Sequence, residues 1–170
     1  MLSEKLWDAL NDQVNAELHS AYVYLSMASW LEDANLGGMA QWMKTQANEE
    51  MEHAMKFYNY INDRRSKVEL KPIEGPKTCW ESPLEAFQDA FQHEQYITGR
   101  IHSLLDIAHE EKDYPTQEFL QWFVKEQVEE EASVDEVVQQ LDMLKDSRNG
   151  LLMLDRKLGE RKEEEEEDED

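Results

Sequence analysis

The stretch ANEEMEHAM, residues 47–55, sets a carboxylate and an imidazole three positions apart, at Glu50 and His53. Wound as a helix, residues at that spacing share one face. The same face runs through Met39, Met43, Gln46, Glu50, His53, Phe57 and Tyr60 in steps of three and four, the pattern of a helix with one buried stripe. Ionisable groups on a buried stripe need a physical reason, because unpaired charge away from water is costly.

The same alternation recurs in three other segments. One reads Leu10, Val14, Glu17, Ala21, Tyr24, Ala28, Leu31; another Leu84, Phe87, Phe91, Glu94, Thr98, Ile101, Leu105; the last Leu120, Phe123, Gln127, Glu130, Val134, Val137, Leu141, Leu144. Breaks at Gly37-Gly38, at Pro72 to Pro83, at Pro115 and at Gly150 delimit long helices over roughly 4–33, 39–65, 83–111 and 116–145, with a short one near 151–158. Ser82-Pro83-Leu84-Glu85 is a helix start: a capping serine, proline at the first helical position and glutamate three residues after the cap.

These segments predict an all-α fold, a four-helix bundle with helices of ~45 Å. The short connections at 34–38 and 112–115 make each flanking pair antiparallel. Residues 66–82 could span roughly 50 Å when extended, so they predict a long crossover between parallel second and third helices. Every stripe is interrupted near mid-helix: Glu17, then Glu50 with His53, then Glu94, then Gln127 with Glu130. Equal depth in four packed helices brings them together. Four carboxylates cannot stay ionised there alone, and one imidazole cannot neutralise them; two divalent cations can. The sequence therefore predicts a dinuclear metal site. Taken singly, each group reads better as a hydrogen-bonded core residue, and Tyr24 reads equally as an ordinary core tyrosine.

The chain has 170 residues, with 17 Lys plus Arg against 39 Asp plus Glu, a formal charge of −22. That balance argues against nucleic acid and anionic membrane as partners and suits a protein that handles cations. Residues 163–170, EEEEEDED, are acidic throughout, and the remainder is acidic as well. Cys79 is the single cysteine, which points to a reducing, cytoplasmic setting. The start of the chain does not read as a signal peptide, and no apolar run has the length of a membrane span.

Glu17, Tyr24, Glu50-Met51-Glu52-His53, Glu94 and Gln127-Val128-Glu129-Glu130, with Trp122 and the EQVEEEAS run at 126–133, resemble the ferritins, specifically the non-haem ferritins of bacteria and archaea. The resemblance covers residues 1–158 and leaves 159–170 as an acidic tail, read as disordered. It implies a ferroxidase that oxidises Fe(II) with O₂ and stores Fe(III) as an oxyhydroxide mineral in a homo-oligomeric shell of twenty-four chains. By that resemblance Glu17, Glu50 and His53 hold one iron, and Glu50, Glu94 and Glu130 the other. Gln127 lies beside the second iron, and Tyr24 and Trp122 near the pair. Glu49, Glu126, Glu129 and Glu130 match a third iron site, although by spacing alone the first three read as a solvated helix edge. Gln127-x-x-Glu130 stands where bacterioferritins and rubrerythrins carry a second Glu-x-x-His. Met51 sits at the haem-methionine position of bacterioferritins but is read as packing, so haem is not expected. Residues 151–158 match a fifth helix. Gln117 and Leu120 depart from the acids that line the three-fold pore of animal ferritins. Trp7, Trp30, Trp42, Trp80 and Trp122 are more large apolar surface than one bundle should cover, which hints at association. His19, His93, His102 and His109 fall off the stripes and read as surface or packing residues. Two other functions stay open on the residues: a di-iron oxidase or peroxidase that stores nothing, and a helical bundle that only buffers divalent cations.

Overall fold

The computed structural model describes residues 1–161. It consists of α1 (Glu4–Asp33), α2 (Gly37–Asp63), α3 (Pro83–Glu110), α4 (Tyr114–Leu144) and α5 (Arg148–Leu158), with no strand among the described residues. Of the tail read as disordered, 159–170, residues 162–170 lie outside the described residues, whereas Gly159, Glu160 and Arg161 are described and Arg161 is hydrogen-bonded to Gln46 and Glu49.

Helix ends follow local chemistry. Ser3, Ser82, Asp113 and Ser147 accept, through their side chains, from the backbone N–H of Leu6, Glu85, Thr116 and Gly150, satisfying donors a first turn leaves without partners. Pro115 sits inside the first turn of α4, so it opens that helix and does not interrupt the chain. Gly37 and Gly38 likewise open α2. The left-handed residues that reverse the chain are Asn35, Arg65, Lys112 and Lys145, with φ of 59°, 55°, 53° and 49°. None is a glycine, and the expected bounds of the four long helices lie within two residues of those observed.

The crossover runs the length of α1. Trp7 Nε1 donates to the Lys67 carbonyl, Glu69 N–H to Asn11 Oδ1, Lys71 pairs with Asp12, Ser26 Oγ donates to the Lys77 carbonyl, and Trp80 packs edge-on against Trp30. The partners advance along both segments together. The crossover therefore carries the chain from one end of the bundle to the other, and α2 and α3 run parallel.

The core is in two parts. Tyr24, Leu31, Met39, Met43, Phe87, Val134 and Leu141 belong to one apolar cluster. Leu6, Leu10, Phe57, Ile61, Ile101, Leu120 and Phe123 belong to the other. Between them, at mid-helix, lies a layer of buried polar groups. In α3 the buried stripe is Ala86, Phe87, Ala90, Glu94, Ile97, Ile101, Leu104, so Thr98 and Leu105 lie at its edge. Steps of three and four differ little in direction, and small Ala86 and Ala90 let α3 turn toward its neighbours.

Two surface expectations fail. Trp42 and Trp80 are buried, Trp7 and Trp30 partly so, and Trp122 is the most exposed, so one bundle covers most of this tryptophan surface. Met51, read as packing, is 46% exposed within the chain.

Candidate metal centre

Each bundle helix brings its mid-helix polar residue to the central layer: Glu17 from α1, Glu50 and His53 from α2, Glu94 from α3, Gln127 and Glu130 from α4. None is more than 4% exposed. The registers that bury the two apolar clusters bury these side chains with them, and part-exposed Glu126 lies beside His53 at the edge of the layer.

Their potential ligand atoms converge. Glu17, Glu50 and His53 form one triplet; Glu50, Glu94 and Glu130 form another; His53, Glu126 and Glu130 form a third. Within each triplet the atoms lie inside 4.8 Å of one another. Glu50 is common to the first two, as a carboxylate bridging two cations must be. His53 Nδ1 lies 3.6 Å from Glu50 Oε2, and its Nε2 3.9 Å from Glu126 Oε1. Trp122 and Phe123 wall the ring edge-on, with centroids at 5.4 and 6.0 Å.

Burial and mutual repulsion disfavour the ionised form of these carboxylates. Burial, then the carboxylates of Glu94, Glu17 and Glu130, push Glu50 well above the ordinary carboxylate range. Burial likewise raises Glu17, takes Glu94 to about 7 and, with Glu94 adding to it, takes Glu130 to about 8. Glu17 Oε2 and both Glu50 oxygens are buried and find no hydrogen-bond partner among the described residues. Polar atoms so placed are rare in folded proteins. The donor set, several carboxylates and an imidazole, is one that suits divalent iron or zinc.

The remaining carboxylate oxygens are held from outside. Tyr24 OH donates to Glu94 Oε1, and Gln127 Nε2 donates to Glu94 Oε2 at 3.2 Å and to Thr98 Oγ1 at 3.2 Å. Gln13 Nε2 donates to Glu17 Oε1 at 2.7 Å, and Gln46 Nε2 to Glu130 Oε2 at 2.6 Å. Both glutamines are fully buried. Sequence reading assigned neither of them a part, although Gln46 stands on the stripe and Gln13 lies one turn before Glu17.

The residues matched to a third iron site are divided. Glu126 joins His53 and Glu130. Glu49 is gripped by Arg161, whose Nη2 lies 3.1 and 2.9 Å from its two oxygens. Glu129 is exposed and stands in none of the triplets. His93, expected to be a packing residue, is half-buried with Nε2 2.7 Å from Ser20 Oγ. Burial, with His19 adding to it, pushes the His93 imidazole down to about 4.

A four-helix bundle with a long crossover, a short fifth helix and carboxylate–histidine triplets at its centre defines a class of metal-binding bundles. A family model for the ferritin-like domain matches residues 7–144. The bacterial non-heme ferritin of Staphylococcus aureus is 42% identical over 161 residues, covering 95% of this chain and 97% of its own. That of Staphylococcus haemolyticus is 43% identical over the same length. The open pore ferritin of the hyperthermophilic archaeon Archaeoglobus fulgidus superimposes with a TM-score of 0.94 at 46% identity, covering 95% of this chain and all of its own. The chain belongs to the ferritin family.

Proposed function

We propose that this protein stores iron and is a ferroxidase, oxidising Fe(II) with O₂ within each chain and holding the Fe(III) as oxyhydroxide inside a multi-subunit shell. The observation that carries this reading is the pair of buried triplets sharing Glu50. In it, Glu17, Glu50 and His53 take one Fe(II), and Glu50, Glu94 and Glu130 take the other. Two Fe(II) ions side by side give dioxygen two electron donors in one encounter.

The protein's own groups set up that encounter. His53 supplies an imidazole nitrogen to one ion. Binding displaces the protons that burial keeps on Glu50, Glu94 and Glu130, so uptake releases protons. Tyr24 and Gln127, both hydrogen-bonded to Glu94, fix the carboxylate that faces the second ion. Glu126, beside His53 and Glu130, offers an oxidised ion its first step away from the centre; with Glu49, Glu129 and Glu130 it makes up the third iron site in this reading.

A shell of twenty-four chains in the cytoplasm completes the proposal. Its support in this chain is the exposed apolar surface at Tyr22, Leu25 and Tyr96, which a lone bundle leaves in water. Aerobic addition of Fe(II) far beyond the ligand capacity of the chain, followed by size-exclusion chromatography, tests storage. Ferric iron should elute with protein at a mass of many chains. Iron that precipitates free, or remains only at the level of a dinuclear site, would leave oxidation without storage.

A further inference from the structure

Two buried glutamines touch the centre in the same way, and each is backed by an arginine. Arg100 Nε donates to Gln13 Oε1 at 3.0 Å, and Gln13 Nε2 donates to Glu17. Arg161 Nη1 donates to Gln46 Oε1 at 2.6 Å, and Gln46 Nε2 donates to Glu130. A guanidinium only donates, so it fixes which end of the amide faces it. The NH₂ end must then face the carboxylate. Arg100 belongs to the bundle itself. Arg161 does not: it lies three residues past α5 and comes back to α2.

Its return is closely fixed. A Cβ on Gly159 would lie 2.9 Å from Gly38 Cα, so the two glycines let the end of α5 touch the start of α2. Arg161 then stacks on Trp42, 4.7 Å from the ring centroid, and holds Glu49 with both oxygens engaged. Glu130, at the end of this chain of contacts, is the one α4 carboxylate shared between two triplets, with Glu50 and Glu94 on one side and His53 and Glu126 on the other. A side chain so placed can turn toward either set.

We propose that Arg161 is a positioning residue for the metal centre: acting through Gln46, it holds Glu130 toward Glu50 and Glu94, so that the docking of α5 sets the affinity of the second metal position. The inference rests on the reading of these residues as a dinuclear centre. Removing the outer hydrogen-bond partner of a ligating side chain weakens metal binding by about 10–100-fold in comparable sites.

The test is anaerobic titration of the full-length protein with Co(II), followed by calorimetry and by the cobalt absorption bands, which report coordination. Wild type should fill the two positions of the centre in two steps, distinct from any weaker binding at the third site, and Glu94→Ala identifies the step that uses Glu130. Arg161→Ala and Gln46→Leu should each weaken that step by at least ~10-fold and leave the Glu17–Glu50–His53 step unchanged. The double variant should be no worse than either single one, because the contacts are in series. Arg161→Lys keeps the charge but loses the fork that reaches Glu49 and Gln46 together, and should restore only part. Two unaltered steps in both single variants would overturn the inference, as would both steps shifting in parallel with a lower melting temperature. No two-step binding in wild type would overturn the dinuclear reading and this inference with it.

Discussion

Glu50 shows most clearly what this fold holds at its centre. Its carboxylate is buried among three others, and among the described residues neither of its oxygens finds a hydrogen-bond donor. Such a group costs stability whenever it is charged and unpartnered. Glu50→Gln should therefore raise the melting temperature of the metal-free protein while slowing Fe(II) oxidation by about 100-fold, since loss of a ligand costs at least as much as loss of its outer partner. Thermal melts and stopped-flow absorbance measure the two effects. The pH dependence carries the same sign. Glu94 and Glu130 titrate near 7 and 8 in the folded chain and near 4.5 when unfolded. Below about pH 4.5 both states hold these protons and folding bears no penalty. As pH rises to 8 the unfolded chain gives them up first, so metal-free stability falls across that window. Melts at pH 5 and pH 8 should show the loss, and Zn(II), which binds the ionised form, should reverse it at pH 8. A metal-free protein equally stable at both values would contradict the electrostatic account.

Among the elements, α5 docks through Leu154 and Leu158, which join the apolar cluster, and through close backbone contact with α2. A Cβ at Gly38 would stand 1.7 Å from the Asp155 carbonyl oxygen, inside any tolerable contact. Asp155 Oδ1 in turn accepts from Met39 N–H at 2.8 Å, supplying the cap that Leu36 cannot. Gly38→Val should release α5 and remove that cap, costing about 1 kcal/mol in capping alone. Faster hydrogen exchange over 148–158, with the four long helices still protected, is the expected readout. At the opposite end of α2, Arg64 clasps Asp113 in a bidentate pair, at 2.8 and 2.7 Å, and holds the Asp113 carboxyl at about 2. A carboxyl depressed from 3.8 contributes stability that is complete above its unfolded value and lost as pH falls from about 4 through 2. Asp113→Asn should cost about 2 kcal/mol at neutral pH by that shift and almost nothing at pH 2, as denaturant melts would show.

These elements also mark how far sequence could be read. The four stripes, their polar interruptions at one depth and the crossover were legible, because 3.6-residue periodicity and loop length act locally. Gln13, Gln46 and Arg161 were not legible as partners of the centre. Their roles depend on which residue of another element stands opposite, and Arg161 meets Gln46 across 115 positions of chain. The left-handed turns at Asn35 and Lys112 were missed for a related reason: glycine and proline drew attention to neighbouring positions where the backbone is helical.

For the molecule as a whole, the division of the core is the organising feature. Two apolar clusters lie on either side of a layer of buried carboxylates, glutamines and one imidazole. No described helix is long and apolar enough to cross a membrane, and the charge of −22 draws cations toward the chain. The claim at the centre of this account is that four helices build one dinuclear oxidation site. Its most direct test is rapid aerobic addition of about two Fe(II) per metal-free chain, the capacity of such a site, with ferric absorbance and oxygen uptake recorded together and His53→Ala run alongside. A fast phase with oxygen consumed in wild type and absent in the variant is the predicted result. Fe(II) that binds tightly in wild type without oxygen uptake, or oxidation equally fast in His53→Ala, would contradict it.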